Sequence, residues 1–242
     1  MDIPILFEDD ALLAVNKPPG IVVNNAESVK GETVQDWMSA RVPFDITKKT
    51  DDTKDFFDRA GIVHRIDKET SGILLIAKTP EAFVELQRQF KERIIHKTYL
   101  AITHGALVPE TGEIRAPVAR LPWNRERFGI VPGGKDSVTK YKVVKQFERI
   151  RGKQTEKYSL VELYPETGRT HQIRVHLKYV NHPVVGDYLY AGRKTARDDR
   201  TWAPRVMLHA WKLVCVHPVT KNELAIEAEI PDDMNTIIHG RA

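Results

Sequence analysis

The segment His64-Arg65-Ile66-Asp67-Lys68-Glu69-Thr70-Ser71-Gly72 runs directly into the apolar stretch Ile73-Leu74-Leu75-Ile76-Ala77. A short continuous apolar run bounded by turn residues reads as a buried strand. Any fold of this chain has to enter that strand through a densely charged turn. Loops held by a rigid strand are where catalytic groups tend to sit. One carboxylate, Asp67, stands between Arg65 and Lys68, with His64 close in sequence. Positive neighbours favour the ionised form of a carboxylate, and an ionised carboxylate can act as nucleophile or base.

The pattern around this segment is strand-rich. Ile5 to Val15 reads as two short strands around Asp9-Asp10, and Asn16-Lys17-Pro18-Pro19-Gly20 as a loop, because consecutive prolines do not fit a central strand. Ile21-Val22-Val23 reads as a further strand, Thr33 to Arg41 as a short helix with Thr33 as N-cap, and 43–60 as a mobile loop. Thr79-Pro80-Glu81 opens a helix with an N-cap, proline at the first helical position and an acid in the first turn. Phe83, Leu86, Phe90 and Ile94 follow as one helical stripe. Lys97 to Ile102, Val138 to Phe147, Tyr158 to Tyr164, Val206 to Val216 and Glu223 to Ile230 read as strands, and Thr170 to Val180 as a helix. Strands outnumber helices and do not alternate regularly with them. The predicted class is therefore α+β, with a mixed, largely antiparallel sheet flanked by helices.

Composition narrows the partners. A hydrophobic fraction of 41% with 29% charged residues marks a globular chain, and no apolar run nears the ~18–20 residues that span a bilayer. Met1-Asp2-Ile3-Pro4, followed by Glu8, Asp9 and Asp10, has the character of neither a signal nor a transit peptide. The cytoplasm is the expected compartment. The lone Cys215, within Leu213-Val214-Cys215-Val216, excludes an intramolecular disulfide and a cysteine-cluster zinc site. Between Arg115 and Arg151 ten Lys/Arg face three acids, a local charge of +7, while acids collect near the C-terminus. A one-sided basic field suits a phosphate backbone, although a solubilising face would look the same.

A second polar constellation is Thr167-Gly168-Arg169-Thr170-His171-Gln172-Ile173-Arg174-Val175-His176, at a predicted helix start. Backbone N–H groups there favour anions, and arginine forks suit phosphate or carboxylate. Together with Asn16-Lys17-Pro18-Pro19-Gly20, His64-Arg65-Ile66-Asp67, Thr70-Ser71-Gly72, Lys97-Thr98-Tyr99-Leu100-Ala101, Gly186-Asp187-Tyr188-Leu189-Tyr190, Leu208-His209-Ala210 and His217-Pro218, this segment resembles the motif series of the RluA-type pseudouridine synthases. The departures are few: Lys68-Glu69 replaces another charged pair, Asn24-Asn25 a His-Pro pair, and Ser137 an alanine.

The resemblance covers nearly the whole chain. It implies a single catalytic domain over 1–242, without the small N-terminal RNA-binding module of many relatives. It also implies isomerisation of uridine to pseudouridine in structured RNA, rRNA or tRNA, with no cofactor and no metal. Asp67 would be the essential carboxylate, Arg174 its orienting partner, and Tyr99 would stack on the uracil. Arg65 would fill the stack vacated by a flipped base. Arg169 and His171 would contact phosphate, and His64 and Lys17 would lie on the RNA side. A monomer without an obligatory protein partner is expected. Two other readings compete. A catalytically silent RNA-binding protein of the same fold would leave Asp67 dispensable. A metal-dependent hydrolase would use His64, Asp67, His171 and His176, but the spacing of His171 and His176 is not the i, i+4 that sets two ligands on one helical face.

Overall fold

The computed structural model describes residues 1–242 except 43–46, 48, 152–153 and 241–242, and leaves the side chains of 151 and 154 aside. The fold is α+β with a largely antiparallel sheet, as predicted. The chain divides into two compact units, Met1–His96 with Ala210–Glu229, and Lys97–His209 with Ile230–Ala242. Elements are numbered along the whole chain.

In the first unit, β1 (Ile5–Glu8), β2 (Leu12–Lys17), β3 (Ser71–Ala77) and β10 (Leu208–Val216) lie in that order, with β11 (Glu223–Glu227) on β10. The Asp9 carboxylate accepts from the backbone N–H groups of Ala11 and Leu12 and so makes the β1–β2 turn. The run Ile73 to Ala77 is β3, and every residue of that strand is buried. Helix α3 (Pro80–Lys91) starts as the sequence predicts, with the Thr79 hydroxyl accepting from Ala82 N–H at 3.2 Å. It lays Ala82, Phe83 and Leu86 against Ile73 and Leu75, with Phe90 partly buried beside them. Ile94 lies beyond this helix, which caps at Glu92 before Arg93 turns left-handed at φ 61°.

Helix α1 (Val34–Arg41) carries a capping box between Thr33 and Asp36. Residues 21–23 are not a strand: the Val22 and Val23 carbonyls accept from Val34 and Gln35 at the start of α1 instead. Of the loop predicted over 43–60, residues 43–46 and 48 lie outside the described ones, and Lys54–Asp58 forms helix α2.

In the second unit, β4 (His96–His104), β9 (Gln154–Pro165), β8 (Val138–Arg151) and β5 (Thr111–Arg115) lie in that order. A separate hairpin joins β6 (Val118–Leu121) to β7 (Asn124–Ile130). Strands β8 and β9 run longer than predicted, because Glu148 faces Lys157 and Arg149 faces Glu156 across the hairpin. Opposite charges on facing residues favour pairing in a stretch that reads as loop from one strand alone. Helices α4 (Gln172–Tyr179), α5 (Arg193–Asp199) and α6 (Asp232–Ile238) complete this unit. Among the described residues no helix is long and apolar enough to cross a membrane.

Candidate active site

In the first unit the charged turn is held from below. Asp67 is half-buried, and its carbonyl accepts from Thr70 N–H at 3.1 Å. The next carbonyl, Lys68 O, accepts from Gly20 N–H at 2.8 Å and from the Lys17 ammonium at 3.1 Å. Lys17 corrects an expectation. It does not reach outward to RNA: it is 0% exposed, and its Nζ also donates to Pro18 O at 2.8 Å and Ile21 O at 3.0 Å. A buried ammonium needs such acceptors, and here they tie the early loop to the turn that carries Asp67.

His64 Nε2 accepts from Leu75 N–H at 2.8 Å, and its ring lies 4.7 Å from that of Phe90. In a neutral imidazole this leaves the proton on Nδ1. His64 therefore helps dock the turn on β3. Arg65 is exposed. Gly72 ends the turn at φ +108°, where a Cβ would stand 2.2 Å from Ala210 O, so no side chain fits.

In the second unit Tyr99 lies half-buried on β4, opposite Leu163 of β9. Arg174, on α4, forms a two-point ion pair with Asp187: Nε to Oδ2 at 2.7 Å and Nη2 to Oδ1 at 2.9 Å. Asp187 is 0% exposed and also accepts from the N–H groups of Leu189 and Tyr190. The guanidinium lies 5.0 Å over the Tyr190 ring. Gly186 makes this approach possible at φ +77°, where a Cβ would be 2.1 Å from Arg205 O.

His171 sits at the N-cap of α4 with φ 56°, its Nδ1 2.8 Å from the Tyr190 hydroxyl, which also accepts from Phe128 N–H. Gln172 donates to Val138 O and Thr139 Oγ1 and accepts from Thr167 Oγ1 and Arg169 N–H, welding this loop to β8. The Nε of half-buried Arg169 is shielded from solvent and has no hydrogen-bond partner among the described residues. Burial lowers the Lys97 ammonium below its usual pKa, and its Nζ lies 3.8 Å from where a Gly168 Cβ would stand.

His176 is fully buried, with Nδ1 on Thr139 Oγ1 and Nε2 on Ala116 O, each at 3.0 Å. Both ring nitrogens are occupied, which removes His176 from the ligand set of a metal hydrolase. Two residues of this unit carry little signal in the sequence. Asp187 stood in a recognised segment without a role, since the contact that gives it one spans 13 positions. Lys97 was part of a strand motif, and its burial carries no local signal.

A model of the RNA pseudouridylate synthase family matches residues 11–179. The chain belongs to this family. It is 38% identical over 239 residues to a ribosomal large subunit pseudouridine synthase D of Nitrosomonas europaea, covering 97% of this chain and 64% of that one. It is 37% identical over 241 residues to a protein of the same name from Neisseria meningitidis, covering 97% and 60%. The chain thus spans less than two thirds of the length of these two relatives. An uncharacterised RNA pseudouridine synthase of Bacillus subtilis is 37% identical over 238 residues, 98% of this chain and 72% of that one. Among solved structures, human RNA pseudouridylate synthase domain containing 1 is similar with a TM-score of 0.71 and 26% identity, covering 100% of this chain and 95% of that one. The pseudouridylate synthase segment 11–179 contains the Asp67 turn, Tyr99 and Arg174.

Proposed function

We propose that this protein isomerises uridine to pseudouridine in structured RNA, with residues 1–242 acting as one catalytic domain. The observation that carries the reading is family membership, supported by the resemblance of the segments bearing Asp67, Tyr99 and Arg174 to the motifs of that family. The names of two relatives point to large-subunit ribosomal RNA as the substrate, with tRNA as the alternative substrate.

The reaction breaks the C1′–N1 bond of uridine, turns the detached base, and joins C5 to C1′. C5 then loses its proton and N1 regains one, so no electrons are gained or lost. Asp67 supplies the carboxylate, acting either at C1′ or on a ribose proton. Arg174 is assigned to orient that carboxylate. Its Nε and Nη2 are engaged by Asp187, so the guanidinium is held fixed before substrate arrives, and such preorganisation is what positioned catalytic groups require. Tyr99 stacks on the uracil, and its hydroxyl assists proton transfer at C5. Flipping a paired base costs a few kcal/mol. Exposed Arg65 is assigned to fill the vacated stack, and Arg169 and His171 to meet phosphate.

The test is tritium release from RNA labelled at uridine C5, wild type beside Asp67→Asn. Release by wild type with loss of at least a thousandfold in the variant is expected, with RNA binding retained. Comparable release from both would sink the assignment. Binding by wild type without release, on rRNA and tRNA taken from cells lacking the protein, would identify a silent RNA-binding protein.

A further inference from the structure

A cleft of about 720 Å³ opens in the second unit between β7, the Tyr188-Leu189 turn and α5. Arg127, Arg193, Lys194 and Arg197 line it, and Glu126 is the one carboxylate on its wall. Among the described residues these four cations have no ion-pair or hydrogen-bond partner for their side chains. The same unit provides partners elsewhere, as in Arg115 with Glu113 at 2.7 Å and Lys140 with Glu166 at 2.6 Å. Three of the four cations come from α5, outside the basic run of 115–151, and the fold brings them to Arg127.

Like charges converging on a concave surface repel one another and focus a positive potential. Among the described residues of the cleft wall Glu126 alone opposes that charge, and one carboxylate does not balance four cations, whereas a polyanion would. The rim adds aromatic faces. Tyr188 carries the Arg200 guanidinium 4.9 Å over its ring. Trp123, next to Asn124 of the cleft wall, is 79% exposed in the tight turn between β6 and β7. A basic groove edged by exposed aromatics is the pattern that grips a nucleic-acid strand, cations on phosphates and rings on bases.

We infer that this cleft holds the sugar-phosphate backbone of the RNA substrate outside the target nucleotide, with Trp123 stacked on an unpaired base. The inference rests on the proposed function for the identity of the RNA, and its test needs no turnover. Affinity for a fluorescent ribosomal stem-loop is measured across salt for wild type and for Arg193→Gln/Lys194→Gln/Arg197→Gln. The variant should flatten the slope of log affinity against log salt by about 2 to 3, one phosphate contact per cation. Trp123→Ala should weaken the stem-loop about fivefold or more, the low end for one base–aromatic stack, and leave a blunt duplex unaffected. Unchanged slope and affinity in the triple variant, with unchanged melting, would overturn the inference. Loss of the slope difference in millimolar inorganic phosphate, with no Trp123 effect, would mark a free-anion site and overturn the strand assignment. A wild type that never releases tritium but shows the slope change would refute the proposed reaction and leave the cleft standing.

Discussion

Lys17 and Arg174 are treated in the opposite way to the cations of the α5 cleft. The first two are buried and supplied with acceptors: three carbonyls for Lys17, and a carboxylate engaged at two points for Arg174. Arg193, Lys194 and Arg197 are exposed and, among the described residues, have no hydrogen-bond or ion-pair partner for their side chains. Net charge does not separate these groups, and neither does residue type. The difference lies in what desolvation demands. A buried cation whose acceptors are removed is strongly destabilising, so Lys17 and Arg174 belong to the architecture of the loops around them. A solvated cation can wait for an external anion at little cost to stability.

The contrast can be broken at its strongest point by Asp187→Ala. This removes the two-point Asp187 contact from a buried guanidinium and should cost about 3–5 kcal/mol, read by urea denaturation. A loss below about 1 kcal/mol, the range of surface pairs, would mean that Arg174 finds water and the pair is not architectural. Lys17→Met keeps the length of the side chain and removes the donor. It should cost about 1–3 kcal/mol through carbonyls left unsatisfied. Full stability with weakened RNA binding would place Lys17 among the RNA contacts after all.

His176 sharpens the comparison from the neutral side. Burial lowers its pKa below the unfolded value, with the Ala116 carbonyl opposing. The unfolded chain therefore binds a proton more readily, and stability is lost as pH falls below the ordinary histidine value of about 6.5. The slope from one such group is at most about 1.4 kcal/mol per pH unit, and stability curves of His176→Gln should lack it. The smallest effect is expected at Arg197→Gln, within about 0.5 kcal/mol as for other solvated sites.

What could be read from the sequence follows the range of the interactions. The β3 run and the α3 start are governed by neighbours in the chain, and both formed where the pattern put them. Residues 21–23 have strand-like side chains, but their carbonyls serve the start of α1, a choice no local pattern reveals. The ends of β8 and β9 depend on charges that face each other only once the hairpin forms. At the candidate site the same limit applies. The residue types were recognisable as motifs, and the turn bearing Asp67 was found. That Lys17 points inward, and that Asp187 answers Arg174, depends on segments 51 and 13 positions away.

The Lys17 tether has a practical side. An amine shared among three carbonyls is a poor nucleophile toward acylating reagents, so modification of surface lysines should spare it. Lys194, solvent-facing, would be modified readily. Footprinting with such a reagent, with and without RNA, would report on the α5 cleft by mass spectrometry while leaving the turn around Asp67 chemically untouched.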